Sequence, residues 1–196
     1  MPSRNTVRQY DAPAYYHVYN RGAGGMAIFR DAQDKHKFLG LLRRYLSDDP
    51  DYASYPTYDI ELVAFCVMGN HFHMLLFQEH DPTSITQLMR SVSTAYSMYY
   101  NLKYKSHGHV FQSVFKASRI TEEPYLAHIS RYIHLNPETY KTYKWSSLPY
   151  YLGTKPPDWV MPDRLLDMQP AAYERFLEDY EDRRELLKEI GEQLAQ

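Results

Sequence analysis

Hydrophobic and polar positions change period several times along the chain, and each change marks an element. Tyr15 to Asn20 is rich in β-formers and ends at Arg21-Gly22, which predicts a first strand. After a glycine-rich loop, Asp31 to Tyr45 carries Phe38, Leu39, Leu41, Leu42 and Tyr45 at helical spacing, with Asp31 as N-cap. A polar, proline-punctuated loop from Asp48 to Tyr58 leads to apolar runs at Ile60 to Val67 and His71 to Phe77. The bend Gly69-Asn70 between them predicts a hairpin of strands two and three. Helical spacing returns from Ser84 to Lys103, a fourth strand lies within Val110 to Ile120, and a further helix starts at Thr121 and stops near Asn136-Pro137. The order β-α-β-β-α-β predicts an α+β fold of ferredoxin-like architecture. It is a four-stranded antiparallel sheet with helices on one face, followed by an extra C-terminal helical segment from Pro170.

Composition narrows the setting. A chain of 196 residues with 44% hydrophobic residues suits one domain with a sizeable core. The single cysteine, Cys66, rules out a disulfide within the chain and fits a reducing compartment. No apolar run reaches membrane-spanning length and the N-terminus lacks a signal-peptide core, so a cytoplasmic, nucleoid-associated protein is expected. The net charge of −2 conceals an uneven distribution: Thr83 to Trp145 carries a net +5, and Tyr173 to Gln196 a net −4. Twenty tyrosines, many beside cationic or amide neighbours, suit either a tyrosine-rich core or stacking on single-stranded nucleic acid.

Two segments carry candidate chemistry. In a strand, His71 and His73 share one face about 6.6 Å apart, so both rings can reach one metal ion or phosphate. Alone, such a pair is more often two ordinary histidines. In the following helix Tyr132 and Asn136 stand one turn apart on one face. A phenol needs proton removal or a polarised electrophile to act as nucleophile, and a metal on a phosphate supplies the second. Among the twenty tyrosines, only Tyr132 and Tyr16 have an amide four residues on, and Tyr16 falls in a strand. Two histidines with an amide oxygen favour exchangeable Mg²⁺ or Mn²⁺ over structural zinc. His128, four residues before Tyr132, is a candidate proton acceptor or substrate contact. Asn20, Arg21, Lys103, Lys105, His109, Lys116 and Arg119 are candidate DNA contacts. Two other readings fit parts of the pattern: a non-catalytic single-stranded nucleic-acid-binding module, or a metal-dependent phosphodiesterase.

Four motifs, Tyr16-His-Val-Tyr-Asn-Arg-Gly22, Met68-Gly-Asn-His-Phe-His73, Gly108-His-Val-Phe-Gln112 and Arg131-Tyr-Ile-His-Leu-Asn-Pro137, together resemble the IS200-like Y1 transposases of the HUH superfamily. They are most similar to the REP-associated tyrosine transposases. The resemblance implies that residues 1–152 form a catalytic domain and 153–196 a linker with an acidic helical tail. It implies that His71, His73 and Asn136 hold Mg²⁺ or Mn²⁺ and that Tyr132 attacks single-stranded DNA to form a 5′-phosphotyrosine. Hairpin-forming DNA, such as a REP-like palindrome, is the implied partner, and a monomer is favoured over a homodimer.

Overall fold

The computed structural model describes residues 9–165 and 168–180. Strands β1 (Ala14–Arg21), β2 (Ile60–Val67), β3 (His71–Gln78) and β4 (Lys116–Ile120) form one antiparallel sheet in the order β2-β3-β1-β4. The helices are α1 (Ala32–Leu46), α2 (Ser84–Tyr104), α3 (Glu123–Leu135), the single turn α4 (Leu148–Tyr151) and α5 (Pro170–Glu178). The Asp31 carboxylate accepts the Asp34 amide to cap α1, as its spacing predicts. Pro137 blocks continuation of α3 beyond Asn136.

The expectation of helices on one face is corrected: the sheet is covered on both. Val18, Phe72, Met74 and Leu76 pack with Phe38 and Leu42 of α1 and with Leu88, Val92 and Tyr96 of α2. The opposite face sends Ala64, Cys66, Leu75 and Phe77 against Leu126, Ile129 and Ile133 of α3. The reason is visible in the strands, where β2 and β3 are buried almost continuously rather than alternately. Near Val63 a bulge shifts the register, so that Leu62 faces Leu76 but Ala64 faces Leu75. One extra residue re-phases the strand and turns Ala64 and Cys66 toward α3.

Residues beyond 152, expected as linker and acidic tail, contribute to both cores as far as Tyr180. Val160 bridges to Leu62 and is buried in the first, and Tyr173 and Leu177 of α5 are buried in the second. The rest of the tail lies outside the described residues. No helix among the described residues is long and apolar enough to cross a membrane.

Candidate active site

The register of the sheet gathers the site. Arg21 pairs with His71 and Tyr19 with His73, so odd-numbered side chains of β1 and β3 share the face that α3 covers. Across that face, the His73 ring lies 5.2 Å from the Tyr132 ring and 5.1 Å from the His71 ring. His71 Nε2 lies 2.9 Å from Asn136 Oδ1 at the end of α3. The four residues singled out in two distant segments are therefore brought together. Two more join them from β1: His17, with Nε2 2.9 Å from His73 Nδ1, and Tyr19, stacked at 5.6 Å on His73. Sequence reasoning passed over both. Their two-residue spacing mirrors His71 and His73, but only the pairing of β1 with β3 shows that the two sets coincide.

Burial governs the protonation of this cluster. It holds His71 below the ordinary imidazole pKa, with the Asn136 contact acting upward and the Arg21 charge downward. His73 lies well below, through burial and then through His17 and His71. Burial pushes His17 down to about 4. The Tyr132 phenol is pushed up to about 12, by burial and by Tyr19, against an opposing hydrogen bond from Asn136. At neutral pH the site thus presents neutral imidazoles and a protonated phenol.

The donor set fits a cation. His71 has an amide oxygen at each ring nitrogen, Asn70 Oδ1 at 2.7 Å from Nδ1 and Asn136 Oδ1 at 2.9 Å from Nε2. A neutral imidazole has one N–H, so one contact sets lone pair against lone pair. With the proton on Nδ1, Nε2 and Asn136 Oδ1 converge as two electron-pair donors, an arrangement a cation relieves. A different group that could hold an ion, Asp59, Glu79 and His80, is exposed and lies beyond the other end of β3.

The remaining candidates separate. Arg21 hydrogen-bonds Gln112 and, with Tyr19, Asn20, Gln112, Ser113 and Lys116, lines a cleft of about 370 Å³. Asn20 ties this rim together, donating to the Ser113 carbonyl and accepting the Arg21 amide. Just after β1, Gly22 leaves room for the chain to turn, since a Cβ there would stand 2.1 Å from the Met26 carbonyl oxygen. Lys105 and His109 are exposed beside α2, and Arg119 pairs with Asp11. The Lys103 ammonium is engaged by Asp31 and by the buried Asp34, each at 2.7 Å. The His128 Nδ1 accepts from Arg131, and the His128 ring packs on Phe176 and Tyr180 of the C-terminal segment.

What seats α3 is a buried hydrogen-bond chain through His134. Ser130 donates to the Ala127 carbonyl, so the Tyr173 hydroxyl donates to Ser130 and accepts from His134 Nδ1. His134 Nε2 lies 2.8 Å from the Ser147 hydroxyl, whose oxygen takes the Phe65 amide of β2 and which also reaches the Phe65 carbonyl at 3.3 Å. Burial keeps His134 neutral by pushing it down to about 3. Arg131 adds a second fastening, with its guanidinium carbon 3.5 Å from the Tyr180 ring centre and Nη1 donating to the Phe176 carbonyl.

Fold and site define a class: a ferredoxin-like domain with a two-histidine strand set against a tyrosine-bearing helix. Residues 53–136 match the family model described as IS200-like transposase, a span that includes His71, His73, Tyr132 and Asn136. A solved structure of a REP-associated tyrosine transposase bound to a REP hairpin has the same fold. It shows a TM-score of 0.54 and 16% identity, over 85% of this chain and 95% of that one. No curated protein matches the chain in sequence. The chain is thus similar to IS200-like transposases in sequence over that span, and to a tyrosine transposase in fold over most of its length.

Proposed function

We propose that this protein is a metal-dependent single-stranded DNA strand transferase that cuts and rejoins hairpin-bearing DNA through a 5′-phosphotyrosine. The observation that carries this reading is the convergence of His71, His73 and Asn136 beside Tyr132. His71 Nε2, His73 and Asn136 Oδ1 would hold Mg²⁺ or Mn²⁺, which supplies charge neutralisation and polarisation at the scissile phosphate. Tyr132 Oη forms the new bond to phosphorus and the bond to the 3′ oxygen breaks. The phenol gives up its proton and the departing 3′ oxygen gains one, so the energy of the phosphodiester is kept and rejoining needs no nucleotide cofactor. Neutral histidines suit ligation, and the protonated phenol keeps the nucleophile quiet until substrate arrives.

The cleft beside the site supports a nucleic-acid substrate, since Arg21 and Lys116 line it with Tyr19, the Lys116 ammonium 5.9 Å from the Tyr19 ring centre. The hairpin preference draws on the bound hairpin of the structural relative. The packing of α3 on α5 of the same chain supports a tyrosine acting within one monomer.

The test is a covalent adduct. Incubation with hairpin-bearing single-stranded DNA and Mn²⁺ is expected to give a protein–DNA species that survives SDS. It is expected to disappear with chelator and in Tyr132→Phe. An adduct retained in Tyr132→Phe overturns the nucleophile. Metal-dependent hydrolysis without any adduct would point instead to a phosphodiesterase.

A further inference from the structure

We propose that His17 is a positioning residue that accepts the Nδ1 proton of His73 and so leaves His73 Nε2 free to face a divalent cation. This rests on reading His73 as a metal ligand. His17 is 1% exposed and lies in the middle of β1, and its ring stacks on His73 at 5.1 Å with an interplanar angle of 14°. Its Nε2 stands 2.9 Å from His73 Nδ1, so that nitrogen of His73 is taken, and only Nε2 is left for an ion.

A single proton occupies the contact between the two rings, and it can sit on either. If His17 donates, His73 accepts at Nδ1, carries its own proton on Nε2 and cannot ligate. If His73 donates, its Nε2 has a free lone pair, and His17, accepting at Nε2, carries its proton on Nδ1. The His17 Nδ1 atom is buried with no hydrogen-bond partner among the described residues. No neighbour therefore dictates the tautomer of His17, and its proton follows the demand made at His73. Ligating histidines commonly donate their second N–H to a carbonyl or carboxylate, which can only accept. An imidazole in that position can hold either arrangement. The metal-competent one puts protons on Nδ1 of both rings.

Long-range ¹H–¹⁵N spectra of the full chain, labelled at histidine, read these tautomers directly. With Mg²⁺ added, His73 and His17 are both expected as Nδ1–H forms, and a His73 that keeps its proton on Nε2 overturns the proposal. Mn²⁺ affinity, followed by electron paramagnetic resonance of the free ion, supplies an independent reading. His17→Leu removes the acceptor and is expected to weaken Mn²⁺ about 10–100-fold. His17→Gln, whose amide oxygen can accept from His73, is expected to recover most of that loss. Equal loss in both variants, or no loss in His17→Leu, overturns the role. His71→Ala is the control for the underlying site: if Mn²⁺ affinity survives there, the metal reading itself fails.

Discussion

At the scale of single residues, a charged or titratable side chain near the site does one of two different jobs, and burial separates them. Lys103 looked like a phosphate contact because it sits in a basic, tyrosine-rich stretch. In the fold it neutralises Asp34, a carboxylate with no exposure that also accepts from the Tyr99 and Tyr104 hydroxyls. Burial alone would raise the Asp34 pKa, and these hydrogen bonds hold it below the ordinary range. Lys103→Met is therefore expected to lower the melting temperature by several degrees while leaving DNA affinity unchanged, as thermal denaturation and a binding titration would show. His71, His73, Tyr132 and Asn136 were legible because each is a chemistry-bearing type at a spacing that strand or helix geometry makes meaningful. His17 and Tyr19 were not, because their partners lie more than fifty residues away and only the strand register joins them.

Among elements, the helix that bears Tyr132 is placed by contacts that no local pattern discloses. Its apolar stripe and its stop at Pro137 could be read directly, since both follow from spacing along one segment. Which face of the sheet it covers could not, because that depends on the bulge near Val63 and on the near-continuous burial of β2 and β3. His134, between Tyr132 and Asn136, looks like part of the reactive motif but is the buried link from Tyr173 to Ser147. His134→Ala leaves Tyr173, Ser147 and a cavity uncompensated and is expected to cost about 2–4 kcal/mol in denaturant unfolding. Acid acts on the same link. A histidine whose pKa is depressed on folding stabilises above the ordinary value near 6.5, and that contribution is lost as pH falls toward the folded value. With His134 pushed to about 3 and His17 to about 4, stability is expected to fall steadily from pH 6.5 downward. The loss should be shallower in His134→Gln, as unfolding curves across that range would show.

For the molecule as a whole, charge is local rather than global. A net −2 would discourage a polyanionic partner, yet the rim of the site carries Arg21 and Lys116 over an aromatic floor. Arg21→Ala and Lys116→Ala are each expected to lower the slope of log affinity for single-stranded DNA against log salt by about 0.7–1. Slopes unchanged in both variants would place the strand elsewhere. The fold class followed from the order of the elements, since β-α-β-β-α-β restricts the arrangements that close one sheet. The extent of the domain did not. Tyr173 and Leu177 fall in the stretch expected to be an acidic tail, yet both are buried beneath α3.

That placement bears on when the protein becomes active in the life of each chain. Synthesis runs from β1 toward α5, so Tyr132 leaves the ribosome some forty residues, and His71 and His73 about a hundred residues, ahead of Tyr173. Until α5 emerges, Ser130 and His134 lack the Tyr173 hydroxyl that joins them, and Arg131 lacks Phe176 and Tyr180. A nascent chain still attached to its message therefore carries every reactive group without the seating that aligns them. On the proposed function, Tyr132 stays unaligned until the residues of α5 have been made.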